Sequence, residues 1–113
     1  MHEASLAVEV VQILLAQRAR LARVELVVLE VGALSCVDAV ALATALKSAV
    51  IGTFAADARL EIVATQARAR CLACGAEGSP PDRVTPCDVC GSFERTWLSG
   101  QALRVLRVEG TPS

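Results

Sequence analysis

The chain has 113 residues, 54% of them apolar and 20% charged, with a formal net charge of −1. Those values fit one compact unit with at most a small appendage, and they argue against disorder beyond the last few residues. The charges are balanced and dispersed, which leaves no electrostatic footprint for nucleic acid, and no apolar run reaches the ~20 residues that a membrane span requires.

Two phenylalanines and one tryptophan are the only aromatics, so the core must come from Val, Leu, Ile and Ala. Residues 4 to about 19 carry a helical pattern, with Leu6, Val10, Ile13 and Leu14 on one face and Arg18, Arg20 and Arg23 suited to its C-terminal end. From Arg23 to Val31 the pattern becomes β-branched and Leu-rich and stops at Gly32, which predicts a strand with one thoroughly buried face. Periodicity leaves open whether that strand is an edge or internal. Gly32 to Asp38 reads as a turn, with Ser35 or Asp38 available to cap a second helix from Ala39 to about Ile51. A second strand is expected from Arg59 to Thr65, continuing as an extended arm through Arg68 and Arg70. The stretch holding Pro80, Pro81 and Pro86 cannot be regular structure. After a turn at Ser99-Gly100, a last strand is expected from about Ala102 to Glu109.

The arm leads into Cys71-Leu72-Ala73-Cys74-Gly75, and after twelve intervening residues comes Cys87-Asp88-Val89-Cys90-Gly91. Two C-x-x-C turns facing each other deliver the four thiolates that tetrahedral zinc takes at about 2.3 Å. A pair of disulfides would need an oxidising compartment, yet the chain opens on Met1-His2-Glu3 without the form of a signal peptide. A redox C-x-x-C normally occurs once, at a strand-to-helix turn. Structural zinc bound by Cys71, Cys74, Cys87 and Cys90 is the expectation, and reduced thiols place the chain in the cytoplasm.

The fold expected is α/β (α+β): a three-stranded sheet packed with two helices, residues 1–66 and 97–113, with a zinc-ribbon domain inserted at 67–96. Phe93 and Trp97 are expected to pack the ribbon against the first domain. Cys36, the fifth cysteine, is expected as a buried small hydrophobe, with a nickel or redox role left open.

His2 is the only histidine. A histidine at position two can chelate through the terminal amine and imidazole Nδ1, a nitrogen-rich set suited to Ni(II) or Cu(II). Glu3 adds a carboxylate, and Asp38 could add another if its turn folds back on the first helix. Each has a plainer reading: a solvated terminal histidine, a first-turn acid favoured by the helix dipole, and an N-cap.

Met1-His2-Glu3 running straight into an amphipathic helix, Val31-Gly32-Ala33-Leu34-Ser35 before a second helix, the four-cysteine ribbon, and Leu98-Ser99-Gly100-Gln101-Ala102-Leu103 before a closing strand together resemble the HypA/HybF family of hydrogenase nickel-maturation proteins. The resemblance implies a metallochaperone, not an enzyme, that binds nickel through the Met1 α-amine and His2 with Glu3 close by. It also implies structural zinc on the four cysteines, and work with a GTPase partner to load the large subunit of a nickel-iron hydrogenase. Ala33 and Cys36 depart from the family pattern, and the ribbon carries no histidine. Whether the protein is monomer or homodimer is left open by the sequence. The alternative is a zinc-ribbon nucleic-acid or protein interaction module without a nickel function, disfavoured by the lack of a basic, aromatic stripe near the ribbon. A hydrolase using metal-bound water lacks its ligands, because four cysteines form a closed site and there is no second histidine.

Overall fold

The computed structural model describes residues 2–113. Helix α1 spans Glu3–Leu15 and buries Ala7, Val10 and Leu14, a stripe spaced three and four apart. It ends short of the expected residue 19, because the polar run after Leu15 offers nothing to bury and folds into tight turns closed by Gln17 N to Leu14 O and Arg20 N to Gln17 O. Strand β1 follows (Leu21–Gly32), then helix α2 (Ala39–Ala49) and strand β2 (Arg59–Thr65). Asp38 starts α2: its Oδ1 accepts the amides of Val40 at 3.0 Å and Ala41 at 3.1 Å, which helix geometry would otherwise leave unpaired. Three short strands come next, β3 (Arg68–Cys71), β4 (Glu77–Gly78) and β5 (Arg95–Ser99), before the closing strand β6 (Leu103–Pro112).

The first sheet has the order β2-β1-β6, so β1 is internal. It runs parallel to β2, with α2 in the crossover, and antiparallel to β6. Val24, Val27, Leu29 and Val31 of β1 join Leu42 and Leu46 of α2 and the α1 stripe in one core. The irregularity in register between Val24 and Leu26 is what brings Val24 and Val27 to the same face.

Leu26 and Val28 lie outside that core yet are only 7% and 6% exposed. Each is flanked on both sides by charged residues: Leu26 by Arg59 and Glu109, Val28 by Glu61 and Arg107. The pairs Arg59–Glu61 and Arg107–Glu109 therefore lay their aliphatic stems along β1 while their charged ends stay wet. Glu30 ties all three strands, accepting from Arg104 Nε of β6 at 2.8 Å and Thr65 Oγ1 of β2 at 2.9 Å.

The second sheet has the order β4-β3-β5, all antiparallel. Strand β5, which hydropathy alone does not announce, pairs Trp97 with Ala69 and runs on to Ser99. The two sheets lie end to end in a molecule of 53 × 27 × 17 Å. Their junction is tight. A Cβ at Gly100 would stand 2.4 Å from Ala67 Cα, and one at Gly32 would stand 2.4 Å from the Gly100 carbonyl, so only glycine fits where the chain leaves β5 for β6. Ser99 Oγ donates to the Gln66 carbonyl at 2.9 Å across the same junction.

Candidate metal centres

The two cysteine turns are copies of each other. Cys71 N donates to Ala76 O and Gly75 N to Cys71 O; Cys87 N donates to Ser92 O and Gly91 N to Cys87 O, all at 2.8 or 2.9 Å. Closing such a turn needs a left-handed residue after the second cysteine, and Gly75 and Gly91 supply it at φ of 80° and 78°. The four sulfurs lie within 4.8 Å of one another, with Cys71 to Cys90 at 3.5 Å and Cys74 to Cys87 at 3.7 Å. A tetrahedron with zinc–sulfur bonds of about 2.3 Å has edges of about 3.8 Å. The cluster therefore fits a closed Zn(II) site.

Backbone amides prepare it. The Cys74 amide, aided by that of Ala73, holds the Cys71 thiol down at about 6 although burial raises it. The Cys90 and Val89 amides lower Cys87 in the same way. At Cys90 the Ser92 amide pulls down, but the neighbouring Cys71 sulfur and burial outweigh it and push the thiol up to about 12. Cys74 is raised as well: burial and the Cys71 and Cys87 sulfurs outweigh its Ala76 amide. The first cysteine of each turn is thus the readier thiolate, and a cation must displace the protons held by the second.

The other predicted ligands lie around the first turn of α1. The Met1 α-amine is outside the described residues. His2 is exposed and makes no side-chain capping bond, while its carbonyl accepts the Leu6 amide at 3.0 Å. It lines a cleft of about 260 Å³ with Glu9, Ser35, Val37 and Gln101. Glu3 is 7% exposed, the one buried charged residue among those described. Its Oε2 accepts the Asp38 amide at 3.2 Å. The 32–38 turn therefore does fold back onto α1, although Asp38 meets Glu3 through its backbone while its carboxylate Oδ1 caps α2.

Two expectations need correction. Cys36 is exposed rather than buried, because it occupies a left-handed position in the turn, φ 60°, that swings its side chain away from the core. Phe93 is 66% exposed and does not pack the ribbon against the first sheet. Trp97 is instead held between cations, with the Arg83 and Arg95 guanidinium carbons 5.7 and 5.4 Å from its ring centre. A link between the cysteine-bearing loop and the 32–38 turn comes from Arg83, whose Nη2 donates to the Leu34 carbonyl at 3.0 Å. Nothing in the local sequence pattern marks this contact, which spans 49 positions.

Residues 1–110 match the family model for HypA, described as hydrogenase/urease nickel incorporation, metallochaperone. A hydrogenase maturation factor HypA from Azotobacter chroococcum mcd 1 is 40% identical over 111 residues, covering 96% of this chain and 98% of that protein. One from Cupriavidus necator is 40% identical over 108 residues, covering 94% and 91%. The solution structure of the Ni metallochaperone HypA from Helicobacter pylori superposes with a TM-score of 0.75 over the full length of both chains at 23% identity, so the fold is shared as well. With a two-helix, mixed-sheet fold and a four-cysteine zinc site in the same molecule, the chain belongs to the HypA family of hydrogenase/urease nickel-incorporation metallochaperones.

Proposed function

We propose that the chain carries Ni(II) at its N-terminus, on the Met1 α-amine, His2 and Glu3, with Asp38 Oδ2 as a further oxygen, and that Cys71, Cys74, Cys87 and Cys90 hold zinc for structure. The supporting observation is the placement of Glu3: a buried carboxylate next in sequence to an exposed histidine, seated on the Asp38 amide. That seat keeps the carboxylate beside the imidazole, where its oxygens can serve as hard ligands next to a nitrogen donor. The site has few protein ligands and an exposed imidazole, which suits release as well as capture. Raw affinity cannot select nickel over copper, since Cu(II) stands higher in the Irving–Williams order, so docked partners supply selectivity at handover.

In this reading the carrier is not an enzyme. It acts in the cytoplasm, where thiols stay reduced, and passes nickel to the large subunit of a nickel-iron hydrogenase with a GTPase partner. Among the described residues no helix is long and apolar enough to cross a membrane. The division into a nickel unit (1–66 and 97–113) and a zinc unit (67–96) belongs to the same proposal.

The test is a Ni(II) titration of untagged, zinc-loaded protein whose Met1 amine is shown free by intact mass, beside the same protein extended by one N-terminal residue. Loss of one equivalent on extension supports the terminal site. Equal binding by both would favour the interaction-module reading, to which the exposed Leu72, Val89 and Phe93 of the ribbon also point.

A further inference from the structure

The 32–38 turn is gripped from two sides. On one side Leu34 N donates to Gly100 O at 2.8 Å and Ala33 N to Thr65 O at 2.9 Å, anchoring it to the first sheet and the junction. On the other the Leu34 carbonyl accepts from Arg83, which belongs to the loop just before Cys87. That loop is ordered by Asp82, whose Oδ1 accepts the amides of Val84 and Thr85 at 2.9 and 2.7 Å and the Thr85 hydroxyl at 2.8 Å. Arg95 donates to the Thr85 carbonyl and lies against Trp97, whose ring also carries Arg83. Arg83 is thus held by a stacked ring, and its fork is aimed at one carbonyl.

Within the turn the strain is local. Ser35 Oγ donates to Gly32 O at 2.7 Å and accepts the Val37 amide at 3.4 Å, while Cys36, a residue with a Cβ, sits at φ 60°. A conformation of that kind persists only where its surroundings enforce it. Two residues further on, the Asp38 amide reaches the Glu3 carboxylate. From Arg83 to Glu3 every step is a hydrogen bond or a few residues of constrained backbone.

We propose that Arg83 is a positioning residue for the N-terminal site: reaching from the cysteine-bearing loop to the Leu34 carbonyl, it fixes the turn whose Asp38 amide seats Glu3. This rests on the reading of Glu3 as part of a nickel site. Its contacts are the Leu34 carbonyl and the Trp97 ring, so it acts through the turn. A lysine cannot replace it fully, because an ammonium lacks the planar fork that both stacks on Trp97 and meets the carbonyl.

The experiment uses the full-length, zinc-loaded protein and compares the parent with Arg83→Ala, Arg83→Lys and Trp97→Phe, the last keeping an aromatic face under Arg83. Two quantities are read: the amide proton shift of Asp38 before nickel is added, and the Ni(II) affinity. Expected for Arg83→Ala is a displaced Asp38 amide resonance and affinity lower by about three- to tenfold, the scale of coupling carried by contacts remote from a ligand, with one equivalent of zinc retained. Trp97→Phe should stay close to the parent and Arg83→Lys should fall between. An unmoved Asp38 amide in Arg83→Ala overturns the proposal whatever nickel does. Should the parent and its N-terminally extended form bind nickel alike, the nickel reading fails, while the Asp38 shift still reports on what Arg83 holds.

Discussion

Glu3 Oε2 accepts the backbone amide of Asp38 at 3.2 Å, joining two residues 35 positions apart. Asp38 faces two ways: its side chain starts α2 and its amide holds the first turn of α1. The buried acid of one helix is therefore placed by the cap of the other, and charge and seating at Glu3 can be separated by substitution.

Glu3→Gln keeps a carbonyl oxygen for the Asp38 amide but removes the negative charge. The fold holds the Glu3 carboxyl down at about 2, so above about pH 4 the urea midpoint is expected to fall somewhat, though less than in Glu3→Ala, while Ni(II) affinity falls by roughly tenfold or more, the scale of losing a charged ligand. Glu3→Ala is expected to lower both, since the amide also loses an acceptor. Parallel urea melts and nickel titrations check this; parent-like nickel binding by Glu3→Gln would remove the carboxylate from the site.

At Asp38 the cap and the proposed ligand can likewise be told apart. Asn caps about as well as Asp, whereas Ala costs about 1 kcal/mol at an N-cap. Asp38→Asn should therefore melt like the parent yet bind Ni(II) more weakly, and Asp38→Ala should be weaker in both. If Asp38→Asn binds nickel as the parent does, Oδ2 is not a ligand.

Cys87→Ser removes one corner of the sulfur tetrahedron and the thiol whose charge the Cys90 and Val89 amides support. The variant is expected to lose its equivalent of zinc, measured by elemental analysis. Hydrogen exchange should then show β3 and β5 unprotected while β1 amides stay protected, because no sulfur of the cluster takes part in the first core.

Glu30 gives the first sheet a dependence on acid. Its carboxyl is held below the usual range by the Arg104 guanidinium first and the Thr65 hydroxyl second. A group lowered in the folded state stabilises fully above its unfolded value, about 4.3, and the contribution is lost as pH falls through the folded value. Urea midpoints measured from pH 6 downward should fall less steeply in Glu30→Gln than in the parent, with Arg104→Gln behaving alike. Parallel slopes would show that the three-strand tie does not affect folding.

Where one short stretch of sequence carried its own cause, the structure was legible in advance. Val10 and Leu14 of the α1 stripe, the Asp38 cap and the Arg59–Thr65 strand follow from spacing and residue type, although Ile13, expected on the same face, is 47% exposed, and the four cysteines with Gly75 and Gly91 follow from ligand geometry. What escaped depended on partners far away. β5 reads Arg-Thr-Trp-Leu-Ser, with no alternation to mark it, and is a strand because β3 lies beside it. The exposure of Cys36 is not readable from residue type, which says nothing of a left-handed turn position. The exposure of Phe93 was likewise hidden, since an aromatic near a small core is ordinarily drawn into it. Nothing in the sequence around Arg83 sets it apart from other cations, and only the folded chain brings it to Leu34.

The junction at Gly32, Ala67 and Gly100 brings the entry and exit of the second sheet into contact. For the first sheet this shortens the path between β2 and β6: once the cysteine-bearing unit is folded, residues 66–102 behave as a short connection rather than a long flexible one. Closing a chain of that length costs about 2 kcal/mol more than closing a few residues, by the logarithmic dependence of loop entropy on length. An ion captured by four sulfurs at one end of the molecule would therefore strengthen the pairing of β6 with β1 at the other, through entropy alone and without touching either strand.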